Sequence, residues 1–352
     1  MLKGIFFGSI GRIWSTSAQR LDAIRSIGVA VRAVDTDRTI ASNAFATRLR
    51  RRFASDPYSV PEVRCHNELV LSSCQGQAPD FAWFEWPRLV EAATLLALKE
   101  RWPNCLLVCF QDDNPFGDRI RERPLWRRFI KNIPFYDLHF VKRDADIVEF
   151  TRLGARRVLL FTHGVYDPLF RPDDRPLDVR KTVWPVSFVG TALDHRVGFI
   201  TQLFKRYNIP VRVFGCKWRR TWVALRHWRH FSTQVTAEAY TRVIWNSKIS
   251  LGFLSSSNHD EYAGRTFEIP GSGGFFLAER TQKHQEFFEE AKEAEFFSSV
   301  EECASKIRFY LANDNIRRRI AAAGYERCMR SDYLLTSRMR DAMRVLFPDN
   351  KL

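Results

Sequence analysis

The residues best suited to chemistry lie in one block of the chain, residues 260–279. In this block Arg265 and Glu268 are three residues apart, so both side chains share one face of a short helix that follows a predicted strand and a polar loop. A carboxylate there can accept hydrogen bonds from two adjacent hydroxyl groups, and a guanidinium with helix amino-terminal amides can bind a diphosphate. These groups together would suit a nucleotide-diphosphate sugar. The same spacing also fits a solvent-exposed ion pair, in which case the neighbouring glycines only turn the chain.

A second candidate is the glycine-containing turn Gly8-Ser9-Ile10-Gly11, directly after the first predicted strand. Open α/β sheets bind ligands where such turns leave the strand ends. The turn is not the G-x-G-x-x-G dinucleotide fingerprint, so a simple tight connection is the alternative interpretation.

Two patterns suggest metal binding, and we expect neither to bind a metal. Asp35-Thr36-Asp37 forms a D-x-D sequence, but it ends a predicted parallel strand, where acidic turns are common. His227 and His230 lie within residues 216–231, which are rich in arginine and tryptophan. An exposed basic segment that meets an anionic acceptor explains these two histidines better.

Residues 45–53 form a basic amphipathic segment. It could contact an anionic membrane surface or the acceptor, or be a solvated helix packed by Phe45 and Leu49.

The elements that must position these residues follow an α/β pattern, because short apolar runs alternate with segments of helical period. The predicted strands of the first half are residues 2–7, 29–34, 80–84, 105–110, 138–141 and 157–161. Those of the second half are residues 185–190, 211–215, 248–253, 274–278 and 294–297.

Several helices can be assigned from their apolar faces and end signals. One helix is lined by Leu21, Ile24 and Ile27 and stops at Gly28, and another stops at Gly154 and is lined by Ile147, Val148 and Leu153. Ser299 and Glu302 form a capping box before a helix whose apolar face is Val300, Cys303, Ala304, Ile307 and Leu311. A last amphipathic helix is lined by Leu335, Met339, Ala342, Met343 and Leu346.

The chain of 352 residues is long enough for two domains. We predict a first Rossmann-like domain at 1–165, a proline-rich and charged linker at 166–182, a second Rossmann-like domain at 183–333 and a terminal helix at 334–352 that packs back on the first domain. The two domains should face a central cleft.

Composition narrows the partners. The net charge of +15 favours anionic partners, such as phosphate-bearing donors, acidic lipids, acidic glycans or nucleic acid. No apolar run has the length of a signal-peptide core or a membrane span, so we expect a cytoplasmic protein, with peripheral contact to the inner membrane as a further option. The seven cysteines are scattered, and neither disulfides nor a zinc site is expected.

The block at 260–279 resembles the Arg-Thr-Phe-Glu-Ile-Pro-x-x-Gly-Gly segment of the spore-maturation (CgeB-like) glycosyltransferases, a branch of the two-domain B-type (GT-B) enzymes related to the retaining family 4. The resemblance covers roughly residues 105–345. It extends to three further stretches: Asp112-Asp113-Asn114-Pro115, the segment from Tyr136 to Phe170 with its Gly164-Val165-x-Asp167-Pro168-x-Phe170 end, and Val186-Ser187-Phe188-Val189-Gly190 followed by Arg196.

The resemblance implies a metal-independent glycosyltransferase that takes a UDP-sugar, or a GDP-sugar, and acts in polysaccharide biosynthesis on a glycan, lipid-linked or other acceptor. It implies no cofactor beyond the sugar-nucleotide substrate. It also implies that the first domain holds the acceptor and the second domain holds the nucleotide sugar. Two family glutamates bracket the donor; here Glu268 is the ribose-binding one, and Asp260, shorter by one methylene, stands at the other position. The donor-binding residues implied are Gly190, Arg196, Arg265, Glu268, Gly273 and Gly274.

An inverting reaction would need a base in the first domain, and Asp113, Glu85 and His163 are the candidates, with Asp113 ranked first. A retaining reaction would need no base beyond the leaving phosphate.

Two other functions stay open. The charge and the tryptophans near residue 222 could indicate a nucleic-acid-binding protein, although no recognition motif accompanies them. A sugar-nucleotide epimerase of the same fold is the third hypothesis.

Overall fold

A computed structural model describes residues 1–12, 15–40, 56–174 and 184–349. The basic segment at 45–53 and the later part of the predicted linker lie outside the described residues. The chain divides into two compact units, Met1–Thr162 with Met339–Leu352, and His163–Arg338. None of the helices in the described ranges has both the length and the hydrophobicity needed to cross a membrane.

The first unit is built on a six-stranded parallel sheet of order β2-β1-β3-β4-β5-β6. Its strands are β1 Lys3–Gly8, β2 Ala30–Asp35, β3 Phe81–Glu85, β4 Leu106–Gln111, β5 Leu138–Val141 and β6 Val158–Leu160. All six predicted strands of this half are confirmed. Every residue of β3 is buried, as expected of a central parallel strand with helices on both faces.

Five helices of the first unit are described: α1 Thr16–Ser26, α2 Val60–Ser73, α3 Ala92–Arg101, α4 Arg123–Asn132 and α5 Asp144–Arg152. The hydroxyl of Ser15 caps α1 by accepting the N–H of Ala18, and Gly28 turns the chain after it at φ 87°. The predicted face of α5 is wrong at Val148, which is 66% exposed. Phe150 holds this helix to the core instead.

The second unit is built on a parallel sheet of order β12-β11-β10-β7-β8-β9. Its strands are β7 Trp184–Val189, β8 Arg212–Phe214, β9 Phe231–Ser232, β10 Ser247–Gly252, β11 Phe276–Glu279 and β12 Glu295–Phe297. The five predicted strands are confirmed. The sixth, β9, was not predicted because two residues are too short to show a strand period.

The helices described from residue 184 onward are α6 Arg196–Lys205, α7 Trp222–Arg226, α8 Glu238–Trp245, α9 Arg265–Gly271, α10 Gln282–Phe287, α11 Val300–Ala312, α12 Asp314–Arg330 and α13 Leu335–Leu346. Single 3₁₀ turns lie at Thr36–Thr39, Ile120–Glu122, Ile133–Phe135, Trp218–Arg220, Trp228–His230 and Ser256–Asn258.

Half of the predicted capping box forms at the start of α11. Ser299 accepts the N–H of Glu302, but the Glu302 carboxylate accepts from the backbone of Ser298 and from Arg280 rather than from the backbone of Ser299. The second hydrogen bond of the capping box, from the Ser299 backbone to the Glu302 carboxylate, is therefore absent. In its place, Glu302 forms an ion pair with Arg280.

The last helix, α13, belongs to both units. Its first residue donates a backbone hydrogen bond to Val165, while its residues from Met339 onward belong to the first unit. Just beyond the helix, the Phe347 ring lies 5.9 Å from that of Phe81.

The described part of the predicted linker packs against the second unit. The Phe170 ring contacts that of Tyr240 at 5.7 Å, the Thr241 hydroxyl donates to the Leu169 carbonyl, and the Trp245 indole donates to that of Arg171. The predicted linker is rich in proline and charge, but isolated anchors such as Phe170 are enough to hold its described part against α8.

Candidate functional site

The residues singled out in the second unit gather at the carboxyl edge of its sheet. Strands β7 and β10 are adjacent and parallel, so the loops that follow them leave the sheet side by side. Residues 190–195 follow β7, and residues 253–264 join β10 to α9. This edge is where an open α/β sheet offers backbone and side-chain groups to a ligand.

Arg265 is the first residue of α9 and turns toward the end of β10. Its Nη1 donates to the Phe253 carbonyl at 3.1 Å, and its guanidinium lies 5.8 Å from the ring centroid of Phe188. Its Nε and the hydroxyl of Ser250 are buried without hydrogen-bond partners among the described residues, and both residues line one small cavity together with Tyr240. A fixed cation with unused donors beside it can bind an anionic group.

Glu268 lies three residues further along α9, still within its first turn. No ion pair between Glu268 and Arg265 is present in the described structure, so the solvated i,i+3 pair that the spacing allowed does not form. A Cβ atom added to Gly264 would lie 3.0 Å from Oε1 of Glu268, so the glycine leaves room for the carboxylate. Burial raises the pKa of Glu268, while the charge of Arg265 and the hydroxyl of Tyr240 oppose the rise. The Glu268 carboxylate therefore lies near the positive charge of Arg265 but forms no ion pair with it.

Tyr240, on α8, was not singled out from the sequence. Burial, and after it the negative charge of Glu268, raises the pKa of its hydroxyl well above the ordinary value. The hydroxyl is therefore a neutral donor beside the carboxylate. No local spacing connects residue 240 to residue 268, and only packing of α8 against α9 and β7 brings them together.

Arg196 is the second cation of this edge. It begins α6, is 6% exposed, and donates from Nη1 to the Thr191 carbonyl at 3.3 Å. Gly190 precedes that loop and is closely packed, because a Cβ on Gly215 would lie 2.0 Å from the Gly190 carbonyl oxygen. The Trp218 indole donates to the same carbonyl at 2.7 Å. The close packing of Gly215 and Trp218 against the Gly190 carbonyl thus fixes the loop that precedes Arg196.

The loop that contains Asp260 is fixed by a hydroxyl–carboxylate network. The Asp260 N–H donates to the Ser255 carbonyl at 3.0 Å. The hydroxyls of Ser255 and Ser257 donate to the two carboxylate oxygens of Asp194 at 2.9 and 2.8 Å. Asp194 was not predicted, although it lies in the loop that directly follows β7.

His195 and Glu279 form another pair that the sequence analysis missed. Nε2 of His195 bonds Oε1 of Glu279, whose other oxygen accepts the Leu254 N–H at 2.6 Å. The hydrogen bond to Glu279 raises the pKa of His195 above its ordinary value. Glu279 ends β11, so an acidic residue at the end of a predicted strand was the sequence feature that could have pointed to this pair.

Two expectations for the donor residues need correction. The N–H groups of Thr266, Phe267 and Glu268 already donate to carbonyls of the preceding turn, so these amides of α9 are not available to a diphosphate. Gly273 and Gly274 follow α9 and precede β11, at the amino edge of the sheet and away from Arg265. Gly273 has a positive φ of 72°, and a Cβ on Gly274 would lie 2.4 Å from the Ile244 side chain. Chain geometry and packing account for both glycines.

His163, predicted in the first domain, belongs to the second unit. Its ring lies 6.0 Å from that of Tyr262, in the loop before α9. It is therefore not a first-domain base.

In the first unit, a cavity of about 360 Å³ opens at the carboxyl edge of the sheet. Its lining combines hydroxyls, a carboxylate, an imidazole, an indole and a guanidinium, from Ser9, Thr16, Asp37, His66, Trp86 and Arg88. Burial lowers the pKa of His66 to about 4, so this imidazole is neutral at pH 7. Such a mixture of aromatic and hydrogen-bonding groups suits a polyhydroxylated ligand.

Trp86 adds local strain to this cavity. Its φ is 48°, a left-handed conformation that is costly for a bulky side chain. Its indole donates to Asp112 at 2.6 Å, and the guanidinium of Arg88 lies 4.9 Å from its ring centroid. The strained turn directs an aromatic side chain, 37% exposed, to the mouth of the cavity.

The two first-unit carboxylates proposed as bases have different environments. Glu85 is fully buried and accepts from Arg20, Trp83 and Ser17, so it is held as a structural ion pair and is not available as a base. Asp113 is largely buried, with its side chain 32% exposed, and a carboxylate oxygen lies 3.6 Å from Nη2 of Arg88. Burial, and after it the charge of Asp112, raises its pKa. Asp113 thus remains the first-unit candidate.

The glycine turn after β1 is tied to the end of β2. The Ser9 hydroxyl donates to Asp37, and a Cβ on Gly11 would lie 2.9 Å from an Asp35 carboxylate oxygen. A Cβ on Gly8 would lie 2.9 Å from the Phe6 ring. The turn is a tight connection whose Ser9 also lines the cavity.

No cluster of three or more metal-ligating side chains occurs in the ranges that the structure describes. Asp35 accepts the N–H of Asp37 and so caps a 3₁₀ turn. His227 and His230 both pack on Phe204, with ring centroids 4.6 and 5.4 Å away. Each of these residues has a structural role of its own.

Sequence comparison matches residues 196–344 to the family described as glycosyl transferase-like. This segment contains Arg196, Asp260, Arg265 and Glu268. A comparison with curated protein sequences finds no significant match.

Comparison of structures finds several similar folds at low sequence identity. Sucrose-phosphate synthase from Thermosynechococcus elongatus has a TM-score of 0.68 at 12% identity, over 99% of this chain and 100% of that one. HepE of Anabaena, in complex with UDP-glucose, has a TM-score of 0.63 at 14% identity over 98% and 99%. Trehalose 6-phosphate synthase from Burkholderia multivorans has a TM-score of 0.60 at 13% identity over 98% of both chains. The chain therefore has the two-unit α/β fold of the GT-B glycosyltransferases, and its residues 196–344 match the glycosyl transferase-like family.

Proposed function

We propose that this protein is a glycosyltransferase that transfers a hexosyl group from a nucleotide-diphosphate sugar, with a UDP-sugar favoured, to a glycan or lipid-linked acceptor without a metal ion. The observation that carries the proposal is the arrangement of Glu268 and Arg265 at one strand edge. The guanidinium is fixed to the Phe253 carbonyl, and the carboxylate beside it is left without an ion pair.

The donor fits the second unit by charge and by hydrogen bonding. Glu268 accepts the two ribose hydroxyls, and Arg265 and Arg196 neutralise the diphosphate. His195 is bonded to Glu279, and this pair holds the loop beside Arg196 in place. HepE of Anabaena, of similar fold, is known in complex with UDP-glucose, which supports UDP as the first nucleotide to test.

The acceptor fits the first-unit cavity. Its serine and threonine hydroxyls, Asp37 and neutral His66 can exchange hydrogen bonds with sugar hydroxyls, and the Trp86 indole offers an aromatic face. In the transfer, the bond between the anomeric carbon and the diphosphate oxygen breaks, and a bond from the anomeric carbon to the acceptor oxygen forms. The acceptor proton goes to the leaving phosphate in a retaining reaction, or to Asp113 in an inverting one.

Both the nucleotide and the acceptor dependence can be tested on the full chain. A thermal-shift screen of UDP, GDP, dTDP and their sugars should find one nucleotide that stabilises the fold, by about 2.7 kcal/mol at 100 times its dissociation constant. Nuclear magnetic resonance of the product from that sugar nucleotide then gives the stereochemistry of the new bond. Stabilisation by none of the nucleotides would contradict the proposal. Conversion of the donor to another sugar nucleotide without any acceptor would identify an epimerase instead.

A further inference from the structure

Three large apolar side chains are exposed close together on the second unit. Trp222 and Leu225 lie on α7, and Trp228 lies in the 3₁₀ turn that follows; they are 58%, 68% and 66% exposed. Their spacing of three residues directs them outward while Val223 and Ala224, between the first two, are buried. Single exposed apolar residues are ordinary on protein surfaces, but three within seven residues form a patch that needs an explanation.

The same surface carries a strong positive charge. Residues 195–237 contain no aspartate or glutamate. Five exposed cations lie in the same stretch of chain, between residues 217 and 229: Lys217, Arg219, Arg220, Arg226 and Arg229. No ion pair joins any of these five to an acidic residue in the described structure. We call the three apolar and five cationic residues the aromatic–basic patch.

The aromatic–basic patch stands on a rigid base. Trp218, just before α7, is 1% exposed, and the His227 ring lies 4.6 Å from that of Phe204 in the buried core. Cations flank the exposed indoles, since Nζ of Lys205 lies 4.0 Å from the Trp222 ring centroid and the Arg229 guanidinium 5.3 Å from that of Trp228. The patch is therefore already ordered before any partner arrives.

We propose that the aromatic–basic patch binds the surface of an anionic lipid bilayer. Tryptophan and leucine side chains insert at the boundary between headgroups and acyl chains, and arginines remain among the anionic headgroups. A phosphate backbone would use the same cations, but it offers no apolar phase to Leu225, the most exposed of the three apolar side chains. The charge and the exposed apolar residues together thus favour a membrane over a nucleic acid. This proposal stands apart from the proposed glycosyl transfer, because it uses none of the donor or acceptor residues.

The test is co-sedimentation of the full chain with vesicles of phosphatidylcholine alone and with vesicles that also contain phosphatidylglycerol. The wild type should bind only the second kind. An apolar variant with Trp222→Ser, Leu225→Ser and Trp228→Ser should lose this binding. A charge variant with Arg219→Gln, Arg220→Gln and Arg226→Gln should lose roughly 5-fold in partitioning for each arginine removed.

Matched controls come from exposed residues of the first unit. Ile120→Ser with Val148→Ser removes exposed apolar side chains, and Arg64→Gln with Arg152→Gln removes exposed charge; both control variants should bind vesicles as the wild type does. The proposal fails if the apolar variant still binds the anionic vesicles, or if the controls lose binding equally. It also fails if the wild type ignores both vesicles but binds a mixed-sequence single-stranded oligonucleotide through the same patch. Quenching by bromine-labelled acyl chains, lost in Trp222→Phe with Trp228→Phe, gives a readout that does not depend on loss of folding.

Discussion

Burial raises the pKa of Glu268, and the charge of Arg265 opposes that rise. A carboxylate whose pKa is raised by folding is less stable as an anion in the folded chain than in the unfolded chain. Its contribution to the free energy of unfolding is therefore present at low pH and is lost as the pH rises through the raised pKa. A ligand whose hydroxyls donate to the anion would offset this cost, which is why we place the donor ribose here.

Replacing the charge without changing the size of the side chain separates these effects. Glu268→Gln should weaken binding of the donor nucleotide by about 10- to 100-fold, because hydrogen bonds to a charged acceptor contribute about 1.5–3 kcal/mol. The same substitution should leave the free energy of unfolding at pH 7 unchanged or increased. Calorimetry with the nucleotide and denaturant titration measure the two quantities.

The matched control is Glu261→Gln, an exposed glutamate in the loop before α9. It should change neither quantity. A wild type that binds the nucleotide and its 2′,3′-dideoxyribose analogue equally would remove the ribose role from Glu268.

Burial, and after it the charge of the neighbouring Asp112, raises the pKa of Asp113 above its ordinary value. If it accepts the acceptor proton, Asp113→Asn should lower kcat by roughly 100-fold or more and leave donor affinity unchanged. The wild-type rate should fall as the pH drops through the raised pKa, since only the anion is a base, and the variant should lose that limb. Steady-state rates across pH check this, with Asp118→Asn in the same loop as control. An unchanged kcat in Asp113→Asn would leave proton acceptance to the leaving phosphate.

At the scale of elements, short helices set the geometry of the site. The seven residues of α9 lie between the end of β10 and the start of β11, so its first turn reaches the carboxyl edge and its last turn reaches the amino edge. Arg265 and Glu268 are in the first turn. Gly274 follows the last turn and packs against Ile244 of α8 and Ile269 of α9.

Because Gly274 lies at the amino edge of the sheet, Gly274→Ala should lower the free energy of unfolding but should not change donor binding. The added Cβ would overlap the Ile244 side chain, so the free energy of unfolding should fall by about 1–3 kcal/mol while donor affinity is kept in the folded fraction. Gly198→Ala is the control: it lies in α6, has nothing within 4 Å of its added Cβ, and should stabilise the fold by about 0.5–1 kcal/mol. Loss of donor affinity in the Gly274 variant without loss of stability would restore this glycine to the donor site.

At the scale of the whole molecule, positive charge dominates. The net charge of +15 favours anionic substrates and partners, and two of the cations, Arg196 and Arg265, lie at the carboxyl edge of the second unit's sheet. A dense group of exposed cations lies elsewhere, in the aromatic–basic patch. One charge distribution can thus serve both substrate binding and attachment to a surface.

If arginine side chains, and not a metal ion, neutralise the diphosphate, glycosyl transfer should not need a metal ion. Transfer from the sugar nucleotide should proceed at the same rate with and without EDTA, because in the proposed reaction Arg196 and Arg265 neutralise the diphosphate as its bond to the anomeric carbon breaks. Product formation followed in the two buffers tests this. Loss of activity in EDTA, restored by Mn²⁺ and abolished by Asp37→Asn, would contradict it and return the D-x-D sequence to the active site.

The sequence by itself determined the strands, because an apolar run between turn signals depends only on neighbouring residues. Eleven strands could be predicted in this way, while the two-residue β9 could not. Spacing also singled out Arg265 and Glu268, since three residues along a helix fix a shared face. It could not decide whether the two side chains pair with each other.

Only the tertiary structure decided that Arg265 and Glu268 do not pair with each other. Arg265 donates to the Phe253 carbonyl instead, and the Tyr240 hydroxyl lies beside Glu268. The tertiary structure also joined His195 to Glu279, which are 84 residues apart, and assigned His163 to the second unit. The physical reason is the range of the interactions. Periodicity and turn chemistry act over a few residues, whereas the environment of each site residue is set by packing between elements that no local pattern connects.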